Sequence, residues 1–248
     1  MNKIVLITGG SRGIGAATAL LAASQGFAVA VNYTSNSQAA DEVVSKIRAG
    51  GGKAISVKAD VSDETQVLTM FQTVDSQLGR LSALVNNAGV VDVAARIDEM
   101  EMTRWRRMFE INVFGTMLCA REAVRRMSTR HGGQGGAIVN VGSIASTMGA
   151  AGLYVDYAAA KGAVDVFTLG LGRELAAEGI RVNAVRPGII DTEIHASGGQ
   201  PDRVSKIGPQ LPMKRPGRAD EVAQAITWLL SDAASYCTGS MLDVTGGR

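Results

Sequence analysis

The chain has 248 residues, 46% of them hydrophobic, with 30 glycines and a net charge of +2 from 25 basic and 23 acidic side chains. That length suits one undivided α/β domain spanning 1–248, and the composition is that of a globular, turn-rich protein. The near balance of charge gives no pull toward nucleic acid or a membrane surface, and no apolar stretch reaches the ~18 residues of a bilayer span. Two cysteines, Cys119 and Cys237, make no disulfide framework, and neither they nor His131 and His195 fall into a metal-ligand spacing. The basic run Arg121, Arg125, Arg126 and Arg130 reads as a solvated helix face. A strand-like run opens the chain with no signal peptide ahead of it, so the expected setting is the cytoplasm.

Residues 4–7, Ile-Val-Leu-Ile, form an all-apolar run, as expected of a strand covered on both faces in a parallel sheet. The run enters Thr8-Gly9-Gly10-Ser11-Arg12-Gly13-Ile14-Gly15 and then a small-residue helix over 16–24. Glycines there permit a tight turn and let backbone N–H groups approach a pyrophosphate at a helix N-terminus. The spacing, with Thr8, Gly9, Gly13 and Gly15 as Thr-Gly-x-x-x-Gly-x-Gly, departs from the common G-x-G-x-x-G. It resembles the short-chain dehydrogenase/reductase family.

Further motifs extend that resemblance down the chain. A second strand over 27–31 ends at Asn32-Tyr33-Thr34-Ser35. NAD-binding forms of this fold place an acid here for the ribose 2′-hydroxyl, yet no carboxylate occurs before Asp41. A 2′-phosphate would meet no repulsion, and Arg12 is available to pair with it. In the family a basic residue at this loop position accompanies NADP(H) preference, so NADP(H) is favoured, with NAD(H) possible. A helix over 41–49 stops at three glycines, and a third strand over 54–57 precedes Asp60-Val61, which the family uses to contact adenine. Asp60 has a competing reading as a turn residue before the helix over 64–78.

The fourth strand, 83–85, ends in Asn86-Asn87-Ala88-Gly89, which in the family lies along the cofactor. Residues 100–127 read as two helices or one long one carrying Ile111-Asn112-Val113. An Asn between β-branched residues is awkward in a helix interior because its side chain competes for backbone bonds. The resemblance implies that Asn112 is the family's catalytic asparagine, at a bend that exposes a carbonyl to a water; a plain kink residue is the alternative. The fifth strand, 137–141, delivers Ser143 at its carboxyl end, where open α/β sheets bind ligands.

Tyr157 and Lys161 lie four residues apart and share one helix face. A neighbouring ammonium favours the phenolate and lowers the tyrosine pKa from about 10. The step from Ser143 to Tyr157 is fourteen, one more than the family's usual thirteen, and Gly149-Ala150-Ala151-Gly152 is where the extra residue fits. Tyr154 has Ala158 four residues on and is set aside as a decoy, as is Ser146. A sixth strand, 181–185, runs into Pro187-Gly188-Ile189-Ile190-Asp191-Thr192, the segment that in the family holds the nicotinamide carboxamide. The irregular 191–218 stretch has the length of a functional lid. A last helix over 220–230 and a strand over 242–244 close the chain.

Strands alternate with helices throughout, which predicts a single Rossmann-type, doubly wound, mostly parallel seven-stranded sheet with helices on both faces. The resemblance implies catalytic roles for Asn112, Ser143, Tyr157 and Lys161. It implies cofactor contacts from Gly9, Ser11, Arg12, Gly13, Ile14, Gly15, Asn32, Asp60, Val61, Asn87, Ala88, Gly89, Pro187, Gly188, Ile190 and Thr192, and from Tyr157 and Lys161. Hydride transfer between NADP(H) and a carbonyl or secondary alcohol follows, with no metal. Alternatives are a catalytically idle NADPH-binding sensor and an NAD-using sugar or polyol dehydrogenase. The apolar residues Met148, Ile189, Ile190 and Met213 speak against a very polar substrate, and 3-oxoacyl thioesters stay among the candidates. Family members commonly form tetramers; a homotetramer or homodimer is expected, paired through the helix near Val222–Leu230 and the last strand.

Overall fold

The computed structural model describes residues 3–248. Seven strands, β1 (Ile4–Ile7), β2 (Ala28–Tyr33), β3 (Ala54–Lys58), β4 (Ala83–Asn86), β5 (Gly136–Val141), β6 (Ile180–Pro187) and β7 (Met241–Val244), form one sheet. Its order is β3-β2-β1-β4-β5-β6-β7, and every pairing is parallel. Sequence order reverses between β1 and β4, which makes this the switch point where a crevice opens at the carboxyl ends.

Successive side chains of a strand face opposite ways, and β1 divides its apolar run accordingly. Val5 and Ile7 enter a core with α1 (Gly13–Ser24), α2 (Ser37–Ala49) and, later in the chain, the Val222, Ile226 and Leu229 face of the last helix. Ile4 and Leu6 enter the opposite core with Phe71 and Val74 of α3 (Glu64–Gln77). The register aligns Ile7 with both Val31 and Val85, Val85 with Val139, and Val141 with Val185. The loops after β1, β4, β5 and β6 therefore leave the sheet along one edge.

Residues 102–127 form a single rod: α4 (Met102–Phe109), a π-turn (Glu110–Phe114) and α5 (Gly115–Met127). The awkward Asn112 sits in the π-turn. Its Nδ2 donates to the Met108 and Val90 carbonyls at 3.0 Å each, and its Oδ1 accepts from Val90 N at 3.2 Å. The side chain thus competes for backbone bonds, as its type dictates, and the helix widens to let it.

Beyond β5 come the short α6 (Ala145–Met148) and the long α7 (Val155–Leu175). The stretch after β6 holds two short helices, α8 (Ile194–Ser197) and α9 (Arg203–Ile207), before α10 (Ala219–Leu230). Among the described residues no helix is long and apolar enough to cross a membrane. The basic run on α5 is organised inward: buried Glu122 accepts from Arg121, Arg125 and Arg126.

The start of α7 is pinned by a fork. Arg104 of α4 donates through Nε and Nη2 to the two Asp156 oxygens at 2.7 and 3.1 Å, and Asp156 is buried. Asp156 also stands in the first turn of α7, where a negative charge suits the helix dipole. Because Arg104 is itself largely shielded, removing its partner strands a desolvated charge. Asp156→Ala should lower the unfolding free energy by about 3 kcal/mol, as breaking buried pairs does. Urea titration measures this, and a loss below about 0.5 kcal/mol, the scale of an exposed pair, would refute it.

Candidate active site

At the switch point the glycine loop is pressed against the end of β4. Gly9 (φ +59°) and Gly13 (φ +53°) occupy the left-handed region. A Cβ on Gly15 would lie 2.4 Å from the Gly9 carbonyl oxygen, so only glycine fits there. The loop is stitched in place by side chains. Thr8 Oγ1 accepts from Asn87 N and Ala88 N at 3.0 Å each, and Asn87 Nδ2 donates to the Thr8 and Gly9 carbonyls at 2.9 Å each. No acid occupies the first turn of α1, so its free N–H groups offer positive potential to an anion. This cradle fits the pyrophosphate of a dinucleotide. Ser11 and exposed Arg12 stand at its rim.

A cavity of about 360 Å³ adjoins the loop, at the ends of β4, β5 and β6. Ile14, Asn87 and Gly89 line it on the loop side, and Pro187, Gly188, Ile190 and Thr192 line it from the segment after β6. Thr192 Cγ2 lies 3.2 Å from where a Gly13 Cβ would be, so this segment closes over the glycine loop. Ser143, Tyr157 and Lys161 line the same cavity. Ser143 arrives two residues past β5, and Tyr157 is the third residue of α7.

Lys161 is buried and donates from Nζ to the Val141 carbonyl at 2.8 Å, with Nζ 5.7 Å from the Tyr157 ring centre. Asn112 approaches from behind. A Cβ on Gly89 would meet Asn112 Oδ1 at 2.8 Å and Lys161 Nζ at 3.5 Å, which places the three residues together.

A family model described as enoyl-(acyl carrier protein) reductase matches residues 9–248. An oxidoreductase of Escherichia coli K12, YgfF, named as uncharacterized, is 56% identical over 99% of this chain and 99% of its own. A cis-4-hydroxycyclohexanecarboxylate dehydrogenase of Sinomonas cyclohexanicum is 40% identical over 99% of this chain and 96% of its own. A short-chain dehydrogenase of Burkholderia cenocepacia, solved in complex with NADP, superposes with a TM-score of 0.90 at 32% identity, covering 99% of this chain and 97% of that one. The chain belongs to the short-chain dehydrogenase/reductase family. It is an oxidoreductase of that family.

Several of the residues expected at the cofactor are bonded within the chain itself. Asn32 is buried, and its amide is spent on the protein: Oδ1 accepts from Gly9 N at 3.1 Å, and Nδ2 donates to the Ala59 carbonyl at 3.0 Å. It braces the glycine loop against β3, which leaves Tyr33, Thr34 and Ser35 as the residues facing outward at this position. Asp60 Oδ1 accepts from the Ser62 N–H at 2.9 Å and its hydroxyl at 2.6 Å, the turn role that competed with adenine contact. Val61 is buried against Gly115. Met213 is exposed beside Gly246 and does not line the cavity, whereas Met148, Ile189 and Ile190 do.

The electrostatics of the pair also differ from the sequence expectation. Burial pushes the Tyr157 phenol above its ordinary range, opposed by a hydrogen bond with Ser143. Burial pulls Lys161 down to about 8, opposed by the charge of Asp165. Desolvation outweighs the attraction expected between phenolate and ammonium, because both groups are held away from water and the ammonium is directed at Val141.

Sequence reasoning missed four lining residues with polar or charged side chains: Tyr154, His195, Arg203 and Arg248. Tyr154 has no lysine four residues on, and its ring instead carries the Arg203 guanidinium at 5.4 Å. His195 Nε2 lies 2.8 Å from the Ile190 carbonyl, and burial lowers its pKa. Spacing gave Tyr154 and Arg248 no signal, and gave His195 and Arg203 none beyond the length of the 191–218 stretch.

The folded pKa of Lys161, about 8, lies below its ordinary 10.5. The unfolded chain therefore holds that proton more tightly between these values, and stability from this group rises with pH across the window. Tyr157, whose folded pKa is raised, acts in the opposite sense only above its ordinary 10.0. Urea unfolding should show stability rising between pH 8 and 10 in the wild type relative to Lys161→Met. An equal pH dependence in the two proteins would contradict the burial assigned to this amine.

Proposed function

We propose that this family member is an NADP(H)-dependent reductase of ketones, running in reverse on secondary alcohols, with Tyr157 as general acid/base. The observation that carries the reading is that Ser143, Tyr157 and Lys161 line one cavity together with Asn87, Pro187, Gly188 and Thr192. When bound, the cofactor supplies the hydride in reduction and accepts it in oxidation.

In reduction the Tyr157 hydroxyl gives its proton to the substrate oxygen as the carbonyl carbon becomes tetrahedral, and the reverse reaction returns it. Ser143 donates a hydrogen bond to the same oxygen, where negative charge grows. Lys161, beside the phenol, favours the ionised tyrosine once charge develops and holds the nicotinamide ribose. Asn112, packed against Gly89 behind Lys161, orders the backbone through which that proton is replenished. Gly9, Ser11, Gly13, Ile14 and Gly15 hold the pyrophosphate. In this reading Ala88 and Gly89 would run beside it, Asp60 and Val61 would meet the adenine, and Ile190 and Thr192 would grip the carboxamide.

Arg12 supports NADP(H) over NAD(H). It is exposed at the loop rim and forms no ion pair among the described residues, and the residues that end β2 include no acid. The NADP complex of the Burkholderia relative is consistent with this choice. The relative named for cis-4-hydroxycyclohexanecarboxylate supports an alcohol or ketone on an apolar ring. Apolar lining from Met148, Ile189 and Ile190 disfavours a sugar. The 191–218 stretch serves as the substrate lid, and the outer edge of β7, unpaired in this sheet, with α10 is the pairing face of a homotetramer or homodimer.

Tyr157→Phe should cut ketone reduction by roughly 10²–10⁴-fold, the usual weight of a general acid, while NADPH binding, read by fluorescence, persists. A variant that retains turnover would overturn the assignment. Wild type should bind NADPH ahead of NADH, and Arg12→Ala should shrink that gap by about tenfold, the weight of one charge-assisted hydrogen bond. Equal wild-type affinities for the two cofactors would overturn the preference.

A further inference from the structure

Two arginines remain without a task in the reading above. Arg203, the first residue of α9, and Arg248, which follows the left-handed pair Gly246 and Gly247, both line the cavity that holds Ser143 and Tyr157. Both are partly buried. Elsewhere Arg104, Arg126, Arg186 and Arg215 all pair with carboxylates. Arg203 and Arg248 form no ion pair among the described residues. Arg203 is held by neutral groups, donating to Gln200 Oε1 at 2.6 Å and lying over the Tyr154 ring at 5.4 Å. The acid beside it in sequence, Asp202, turns to Lys206 at 3.7 Å.

The two guanidiniums also feel one another. The Arg248 pKa is lowered, first by burial and then by the positive charge of Arg203. Holding like charges together in a half-dry cavity is unfavourable unless an anion joins them. Guanidinium forks suit a planar, two-oxygen anion, which each can grip through parallel N–H groups. The cavity that these arginines share with Tyr157 also has an apolar lining, from Met148, Leu153, Ile189 and Ile194.

We propose that the substrate is an oxo acid or hydroxy acid whose carboxylate is clasped by Arg203 and Arg248, with a hydrocarbon body spanning the apolar wall to the reacting carbonyl. This rests on the oxidoreductase reading for the site and adds the chemical class. Arg203 and Arg248 then set substrate orientation: with one end of the molecule fixed, the carbonyl is delivered to Ser143 and Tyr157 in one sense.

The test compares 4-oxocyclohexanecarboxylate with its methyl ester, each with NADPH, in wild type, Arg203→Met, Arg248→Met and the two Arg→Lys variants. The wild type should prefer the acid by about tenfold in kcat/KM. That ratio should collapse toward one in each Met variant and return in part in each Lys variant. In parallel, calorimetry follows cyclohexanecarboxylate and inorganic phosphate binding to the NADPH-saturated proteins. The carboxylate should bind the wild type, bind Arg248→Met about tenfold more weakly, and outcompete phosphate. A wild type that prefers the ester, carboxylate binding indifferent to both arginines, or tighter binding of phosphate would each overturn the proposal. If neither ketone is reduced while the carboxylate binds through the arginines, the clasp stands and the reductase reading fails.

Discussion

The site depends on a set of amides that hold backbone to backbone at the sheet's switch point. Asn87 and Thr8 lock the ends of β4 and β1 together, and Asn32 locks the glycine loop to β3. The loop has conformational freedom that would otherwise be costly to freeze, and these side chains fix it before any ligand arrives. Each bond satisfies a backbone group that a buried loop would leave unmet. The device repeats one layer deeper. Asn86 donates to Asn140 and Asn140 to Thr168, both at 2.9 Å, tying β4, β5 and α7 together. Through that chain the strand that delivers Ser143 is referenced to the helix that delivers Tyr157.

Desolvation is the second organising force. Tyr157 and Lys161 are pushed toward their neutral forms because the cavity floor is shut off from water on the protein side. A neutral phenol carries a proton to give, and an amine with a pKa of about 8 changes charge near physiological pH. Cys119 shows the same force without chemistry: burial, with Glu122 nearby, pushes its thiol up to about 12, so it behaves as a small apolar residue.

The sheet was legible because its signals are local. Four-residue apolar runs, glycine stops and cap residues mark strands and helices with little help from distant contacts, and each strand end fell within two residues of its observed place. Ser143, Tyr157 and Lys161 were legible because helix periodicity and strand ends fix where they lie. What stayed hidden depends on contacts remote in sequence. Asn32 reads as a residue at a strand end, and only its distance to Gly9 and Ala59 turns it inward. A charge neighbouring the phenol is legible in sequence, and the burial that opposes it is not. Arg203 and Arg248 reach one cavity through a fold of the last third of the chain that no spacing encodes.

The π-turn over Glu110–Phe114 carries a constraint of another kind. A π-turn holds one residue more than an α-turn, and one residue of helix is about 100° of rotation. The extra residue is taken up within the turn, and the helices on either side bury different faces: α4 sends Met108 into one core, and α5 sends Cys119, Ala123 and Met127 into another. Shortening the turn by one would let it close to ordinary α-helix and would remove the slack through which Asn112 reaches the Met108 and Val90 carbonyls. Here the chain is constrained by count as well as by identity.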